Sequence, residues 1–197
     1  PFEVDTLYLG GGTPSHLAPP VFRQLLEIVL KHFSLADQGE FSMEVNPVDV
    51  NQERVDVMQA FQVNRVSLGA QSFSARKLEI LERDHDAGGI HEAVQMLRAC
   101  IPAISLDLMF GVPGESVDEW TADIDQALQM AVRHVSTYGL TFEPGTPFER
   151  RRVQGELHPV SEEIDQELYE LAIDRLVASG LEQYEVSSFA TPGHRSR

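Results

Sequence analysis

Cysteine is nearly absent. Of 197 residues only Cys100 is one, so the chain can hold no internal disulfide and no metal site built from several of its own thiolates. Positive charge is scarce too: 15 Lys and Arg stand against 31 Asp and Glu, a formal net charge of −16 at pH 7. That balance disfavours sequence-independent binding to nucleic acid or to an anionic membrane, both of which need clustered Lys and Arg. No apolar run approaches the roughly 20 residues of a membrane span, and the opening residues do not read as a secretory signal. What is present is ordinary for a globular chain, with 42% hydrophobic and 23% charged residues. The length suits one domain with a core and at most a small second one. The expected location is the cytoplasm.

Periodicity predicts alternating strands and helices. Val4–Leu9 is a β-rich run that stops at Gly10-Gly11-Gly12-Thr13-Pro14, and Pro19–Phe33 places Val21, Leu25, Leu26, Val29 and Leu30 on one helical face. Phe41–Val45 reads as a second strand, with Gly39 before it and Asn46-Pro47 after. A short helix at Glu53–Phe61 precedes a third strand, Arg65–Gly69; helices at Ala75–Leu81 and Gly89–Cys100 precede a fourth, Ile104–Phe110. An amphipathic helix over Val117–Val132 leads to a fifth strand, His134–Leu140. Such alternation predicts parallel βαβ units in an α/β fold. Past Leu140 the rhythm changes to a loop at Glu143–Pro147, a longer helix at Ser161–Ser179 and a short strand at Tyr184–Ser187.

In parallel α/β folds, ligands lie at the carboxyl ends of the strands. Here those ends carry Gly10-Gly11-Gly12-Thr13, then Glu44 and Asn46, then Gln71-Ser72-Phe73, Asp107, and finally Thr141 and Glu143. One polar group per strand end is the layout of a small-molecule site. Each also has a plainer reading. Three glycines make a tight turn, and Glu44 suits an exposed strand position. An Asp107 flanked by Ile104, Leu106, Leu108 and Phe110 calls for a partner, either a ligand or a salt bridge to Arg83 or Arg65. Arg83 follows a helix, where a cation favours the C-terminus. His85 has no second His or Cys at metal-ligand spacing, Cys100 reads as a small buried hydrophobe, and Trp120 reads as helix–sheet core.

Seven motifs in order carry more than any one of them: Tyr8-Leu9-Gly10-Gly11-Gly12-Thr13-Pro14-Ser15, Ser42-Met43-Glu44-Val45-Asn46-Pro47, the run from Arg65 to Phe73, Leu81-Glu82-Arg83-Asp84-His85, the run from Ser105 to Gly114, the run from Tyr138 to Thr146, and Tyr184–Ala190 with Pro192-Gly193. Together they resemble the radical S-adenosylmethionine (SAM) superfamily, in the group of oxygen-independent coproporphyrinogen III oxidase and the radical SAM haem chaperone. The resemblance implies a partial parallel (β/α)6 barrel that lacks its first strand. Residues 1–145 would form the radical SAM core and 146–197 the beginning of a C-terminal region. It implies SAM and a [4Fe–4S] cluster as cofactors, with haem or coproporphyrinogen III as the further ligand and haem-accepting proteins as partners. By similarity, the backbone of Gly11, Gly12 and Thr13 would receive the amino end of SAM. Glu44 would accept from its ammonium or ribose hydroxyls, Gln71 and Asp107 would bind ribose, Arg83 would pair with the methionine carboxylate, and Thr141 would lie beside the adenine.

Three departures qualify the likeness. The family's Cys-x3-Cys-x2-Cys cluster motif lies upstream of everything present here, and Cys100 stands at a helix end where the group commonly has glycine. The expectation is therefore a piece of a longer protein, the alternative being natural loss of the cluster, and this chain alone should hold no cluster and do no radical chemistry. Most of the substrate-covering C-terminal part is likewise expected beyond Arg197. Glu82 stands where the group commonly has glycine, and Ser188 where it commonly has asparagine. Motif wording at 69–73, 138–141 and 184–187 favours the haem chaperone over the decarboxylating oxidase; a cluster-less scaffold is the third reading. His85, His91, His134 and His158 are haem-ligand candidates by residue type only.

Overall fold

Strand alternation and helix caps account for most of the architecture, a computed structural model that describes residues 2–197. Five strands run parallel: β1 (Phe2–Leu9), β2 (Phe33–Val45), β3 (Arg65–Gln71), β4 (Ala103–Phe110) and β5 (His134–Gly139). Between them lie α1 (Pro19–His32), α2 (Gln52–Ala60), α3 (Ala75–Ile80), α4 (Ala87–Arg98) and α5 (Val117–Gln129). Helix starts follow local chemistry. Asn51, Ser74, Asp86 and Ser116 each accept a hydrogen bond from a first-turn amide, and Ser116 with Glu119 completes a reciprocal capping box.

After β5 come α6 (Pro147–Val153), α7 (Glu162–Ala178) and an antiparallel hairpin of β6 (Glu182–Glu185) and β7 (Ser188–Ala190). The sheet order is β1-β2-β3-β4-β5-β7-β6, with β7 pairing antiparallel to β5. The sheet curls: Tyr8 on β1 and Tyr138 on β5 line the same interior cavities. Arg65 and Glu40, at the bottom of that interior, receive the segment His194–Arg197. There Ser196 Oγ donates to Glu40 at 3.1 Å and the Arg197 guanidinium to the Gln38 carbonyl at 2.9 Å.

Because successive strand residues point to opposite faces, each strand has two chemistries. On β4, Ile104, Leu106, Leu108 and Phe110 face outward into a core shared with Leu97, Trp120, Ile124 and Leu168 of the covering helices. Ser105, Asp107 and Met109 face inward. The outer face holds the fold together, where deleting a buried Leu typically costs about 2–5 kcal/mol. The inner face is left free for polar groups.

Four local expectations need correcting. Strand β2 begins at Phe33, eight residues before Phe41, because Phe33–Leu35 pair with Phe2–Val4; a bulge over 36–39, with Gln38 at φ 63°, absorbs the surplus before pairing resumes at Glu40. Helix α5 stops at Gln129, short of Val132, and Ala131 takes a left-handed φ of 50° just beyond it. The expected loop at Glu143–Pro147 runs into α6, capped by Thr146 with Pro147 at its first position, a start signal present in the sequence. The expected strand at Tyr184–Ser187 is two strands, with Val186 and Ser187 forming the turn between them.

Candidate functional site

At the carboxyl ends of the parallel strands lies a cavity of about 370 Å3. It brings together Gly12 and Thr13 after β1, Glu44 on β2, Gln71 on β3, Arg83 after α3 and Asp107 on β4. Gly11, at φ 87°, precedes Gly12 in the chain but is not among the lining residues; a Cβ at Gly11 or Gly12 would meet nothing within 4 Å, so the backbone here is open to close approach. Gly10 differs. A Cβ there would lie 2.5 Å from the Tyr8 ring and 2.6 Å from the Glu44 carboxylate, so its glycine makes room for that pair. Thr141 is exposed beyond the end of β5 and does not line the cavity.

Among the described residues Asp107 has no ion-pair partner. Both its carboxylate oxygens accept from Ser67 Oγ, at 2.8 and 2.7 Å. Of the two arginines named as its salt-bridge partners, Arg65 is engaged with Glu40 at 2.8 Å toward the other end of β3. Among the described residues Arg83 makes no salt bridge, and its buried Nε has no hydrogen-bond partner. Burial pushes the Asp107 carboxyl up to about 6 against the hydrogen bond from Ser67, with the Glu44 charge adding to the rise. Inside one cavity, then, a carboxylate and a guanidinium both stand without a counterion.

Local backbone geometry aims these groups. The chain leaves α3 through Glu82 at φ 54°, and the Arg83 amide donates back to the Leu78 carbonyl at 2.9 Å, closing the helix. A glycine would take that left-handed turn without strain; the Glu82 side chain pairs at the surface with Arg151 at 2.9 Å. Gln71 is also left-handed, at φ 62°, just past a bulge at which the β3–β4 register shifts between Leu68 and Gln71. Strained non-glycine residues of this kind gather at ligand sites.

Tyr8, Met109 and Tyr138 also line the cavity, and sequence reasoning missed them. The signal was available: Tyr138 and Met109 each stand two residues beyond an inward polar position, Ser136 and Asp107, and so share their face. Tyr8 donates to Glu44 Oε1 at 2.6 Å; burial and that carboxylate raise its phenol above the ordinary range. Burial likewise raises Tyr138, with Asp107 contributing.

Below this cavity is a second of about 250 Å3, lined by Ser42, Ser67, Ser105 and Ser136 from four adjacent strands. Its polar groups satisfy one another. The buried His134 bridges Ser105 Oγ at 2.6 Å and Tyr184 Oη at 2.7 Å, and burial holds its imidazole down to about 4. His134 therefore has no free ring nitrogen. Among the other candidates, His91 Nδ1 contacts the Ala87 carbonyl, His158 is exposed, and His85 Nε2 contacts the Ala70 carbonyl while its buried Nδ1 has no partner.

The upper cavity fits SAM. It offers an unpaired guanidinium for a carboxylate, an unpaired carboxylate for hydroxyl donors, and open glycine backbone, in a volume within the usual range for small-molecule sites. The chain's own residues do not fit an iron–sulfur cluster. Cys100 is its single cysteine, sits partly buried beyond α4, and the described residues contain no group of three His, Cys, Asp or Glu arranged to hold a metal.

A curled parallel sheet with its polar groups at the strand ends defines a half-barrel of the SAM-binding kind, and the family comparison agrees. The chain belongs to the radical SAM superfamily, whose family model matches residues 1–127. Within it, a protein named heme chaperone HemW from Mycobacterium tuberculosis is 40% identical over 195 residues, 98% of this chain and 50% of that protein. The protein of the same name from Escherichia coli is 38% identical over 196 residues, with 98% and 50% covered. A zebrafish protein named radical S-adenosyl methionine domain-containing protein 1, mitochondrial, is 37% identical over 189 residues, covering 95% of this chain and 43% of that one. The chain thus spans about half the length of the curated relatives it matches. Among solved structures, coproporphyrinogen III oxidase (HemN) from Escherichia coli superposes with a TM-score of 0.86 over 97% of this chain and 44% of that one; at 22% identity the likeness is one of fold.

Proposed function

We propose that this chain is the SAM-binding part of a radical SAM haem chaperone of the cytoplasm, a protein that binds haem and passes it to haem-accepting partners. The observation that carries the reading is identity of 34–40% to proteins named heme chaperone HemW, over 98% of this chain or more. When bound, SAM supplies the superfamily's radical chemistry; the residues of this chain hold and orient it. Arg83, whose Nε lacks a partner, takes the methionine carboxylate. The open backbone at Gly11, Gly12 and Thr13 lies against the amino end, with Glu44 as its acceptor. Asp107 accepts from the ribose hydroxyls and Gln71 hydrogen-bonds with them; Thr141, outside the cavity lining, has no contact in this reading.

A second reading, oxidative decarboxylation of coproporphyrinogen III propionates to vinyl groups, draws on the fold likeness to HemN. The two separate in one experiment on the full-length protein, kept anaerobic with SAM, reductant and coproporphyrinogen III, and titrated in parallel with haem. The chaperone reading expects a haem absorbance band that saturates and no porphyrin product. Protoporphyrinogen IX appearing with 5′-deoxyadenosine overturns it in favour of the oxidase. Neither signal, from a protein that holds its cluster, would mean a different radical substrate.

A further inference from the structure

Behind the cavity wall is a charged cluster that the cofactor reading does not use. Lys77 of α3 is fully buried, as is the Glu115 side chain, and Asp123 of α5 is 1% exposed. The Lys77 ammonium pairs with the Glu115 carboxylate, pairs with Asp123 at 2.8 Å, donates to the Met109 carbonyl at 3.1 Å and lies 5.1 Å over the Trp120 ring. Burial outweighs the neighbouring ammonium and raises the Glu115 carboxyl. Well-packed apolar residues of similar volume usually serve a core as well as such ions do. What these three supply beyond packing is direction, and their other partners show where it points.

Asp123 accepts from Ser72 Oγ at 2.6 Å and from the Phe73 amide at 2.8 Å, the two residues that follow Gln71. Glu115 accepts from the Val112 amide at 3.0 Å, in the turn that leaves β4. One ammonium therefore ties the carboxyl end of β3 to the carboxyl end of β4. The strand ladder is interrupted just there: the β3–β4 register slips between Leu68 and Gln71 before Gln71 pairs with Leu108. Gln71 is left in a strained left-handed conformation that persists only where its surroundings over-determine it.

We infer that Lys77, Glu115 and Asp123 are positioning residues for the cofactor cavity, acting through Gln71 on β3 and Met109 on β4 to set the spacing of its two walls. The inference rests on the SAM reading of that cavity.

The test uses the variant K77M/E115Q/D123N. Its carboxamides keep acceptors for the Phe73 and Val112 amides and it leaves no uncompensated charge; the tie through the ammonium is removed together with the acceptor of the Ser72 hydroxyl. SAM itself is the probe, followed by calorimetry, with thermal melting measured alongside. The expected result is a melting midpoint within ~3 °C of the unsubstituted chain and SAM bound about tenfold more weakly, with a displaced Met109 methyl resonance in methyl-labelled protein. A loss below about threefold at unchanged melting overturns the inference, since a purely structural cluster predicts it. If the triple variant does not fold, D123N alone carries the same two criteria. No binding by the unsubstituted chain overturns the SAM reading and this inference together, whereas equal binding by both proteins overturns this inference alone.

Discussion

The two cavities of the barrel interior share walls yet differ in one respect: whether their polar groups have partners. In the lower, Arg65 pairs with Glu40 and donates to the carbonyls of His194 and Arg195, and Ser105, His134 and Tyr184 bond in series. In the upper, Arg83 Nε is orphaned, Asp107 has only hydroxyl partners and Gln71 is strained. A buried group without a partner costs about 1–3 kcal/mol, so a fold that retains one leaves it for something that arrives later. The lower cavity is where polar residues satisfy one another; the upper is where, on the proposed reading, they await a ligand.

Breaking the lower set should give the largest effect. Arg65→Leu leaves Glu40 buried without its cation. Burial opposes ionisation of Glu40, but Ser42 and Arg65 outweigh it and hold the carboxyl below its usual range. Urea unfolding should therefore show a loss of about 3–5 kcal/mol. Arg83→Leu should do the reverse, weakening SAM about 100-fold by calorimetry while leaving the melting midpoint unchanged or raised. If Arg83→Leu destabilises as Arg65→Leu does, the contrast between the cavities fails.

Asp107→Asn sharpens the contrast within one residue. Its carboxyl, at about 6 in the fold against an ordinary 3.8, contributes stability that is whole below pH 3.8 and lost as pH rises through about 6. The amide should therefore melt higher than the carboxylate at pH 7.5, yet bind SAM about tenfold more weakly, having lost an acceptor. His134 has the opposite sign. Held to about 4 against 6.5, it stabilises the chain above pH 6.5 and ceases to as pH falls toward 4, so His134→Gln should flatten the melting profile between those values. The smallest effect is on affinity: SAM binding to the unsubstituted chain should weaken a few-fold as pH falls through about 6, and Asp107→Asn should abolish that dependence.

Much of this was legible beforehand. The five parallel strands were, because alternation of β-rich runs with amphipathic helices is a local signal, and so was the gathering of polar residues around a cavity at their carboxyl ends. Asp107 reads as a ligand-facing residue and does line the cavity, although Ile104, Leu106, Leu108 and Phe110, its neighbours in sequence, lie on the opposite face. Tyr8 as partner of Glu44 was invisible because the pair spans 36 positions and depends on how β1 sits beside β2. The early start of β2 escaped for a related reason, since pairing with Phe2–Val4 supplies what local propensity at Phe33–Leu35 does not. The hairpin at the end needed β5 as a template before either short strand had reason to form.

The stitch from Ser196 and Arg197 to Glu40 has a kinetic meaning as well as a structural one. Its hydrogen bonds join residues 156 and 157 positions apart, and contacts of such separation are the slowest to form because they must close nearly the whole chain into a loop. The strands and helices between can assemble neighbour by neighbour, each crossover local. The interior is sealed from below only when the last of them is in place, so the floor of the barrel should be the latest part of the molecule to form and the first to open.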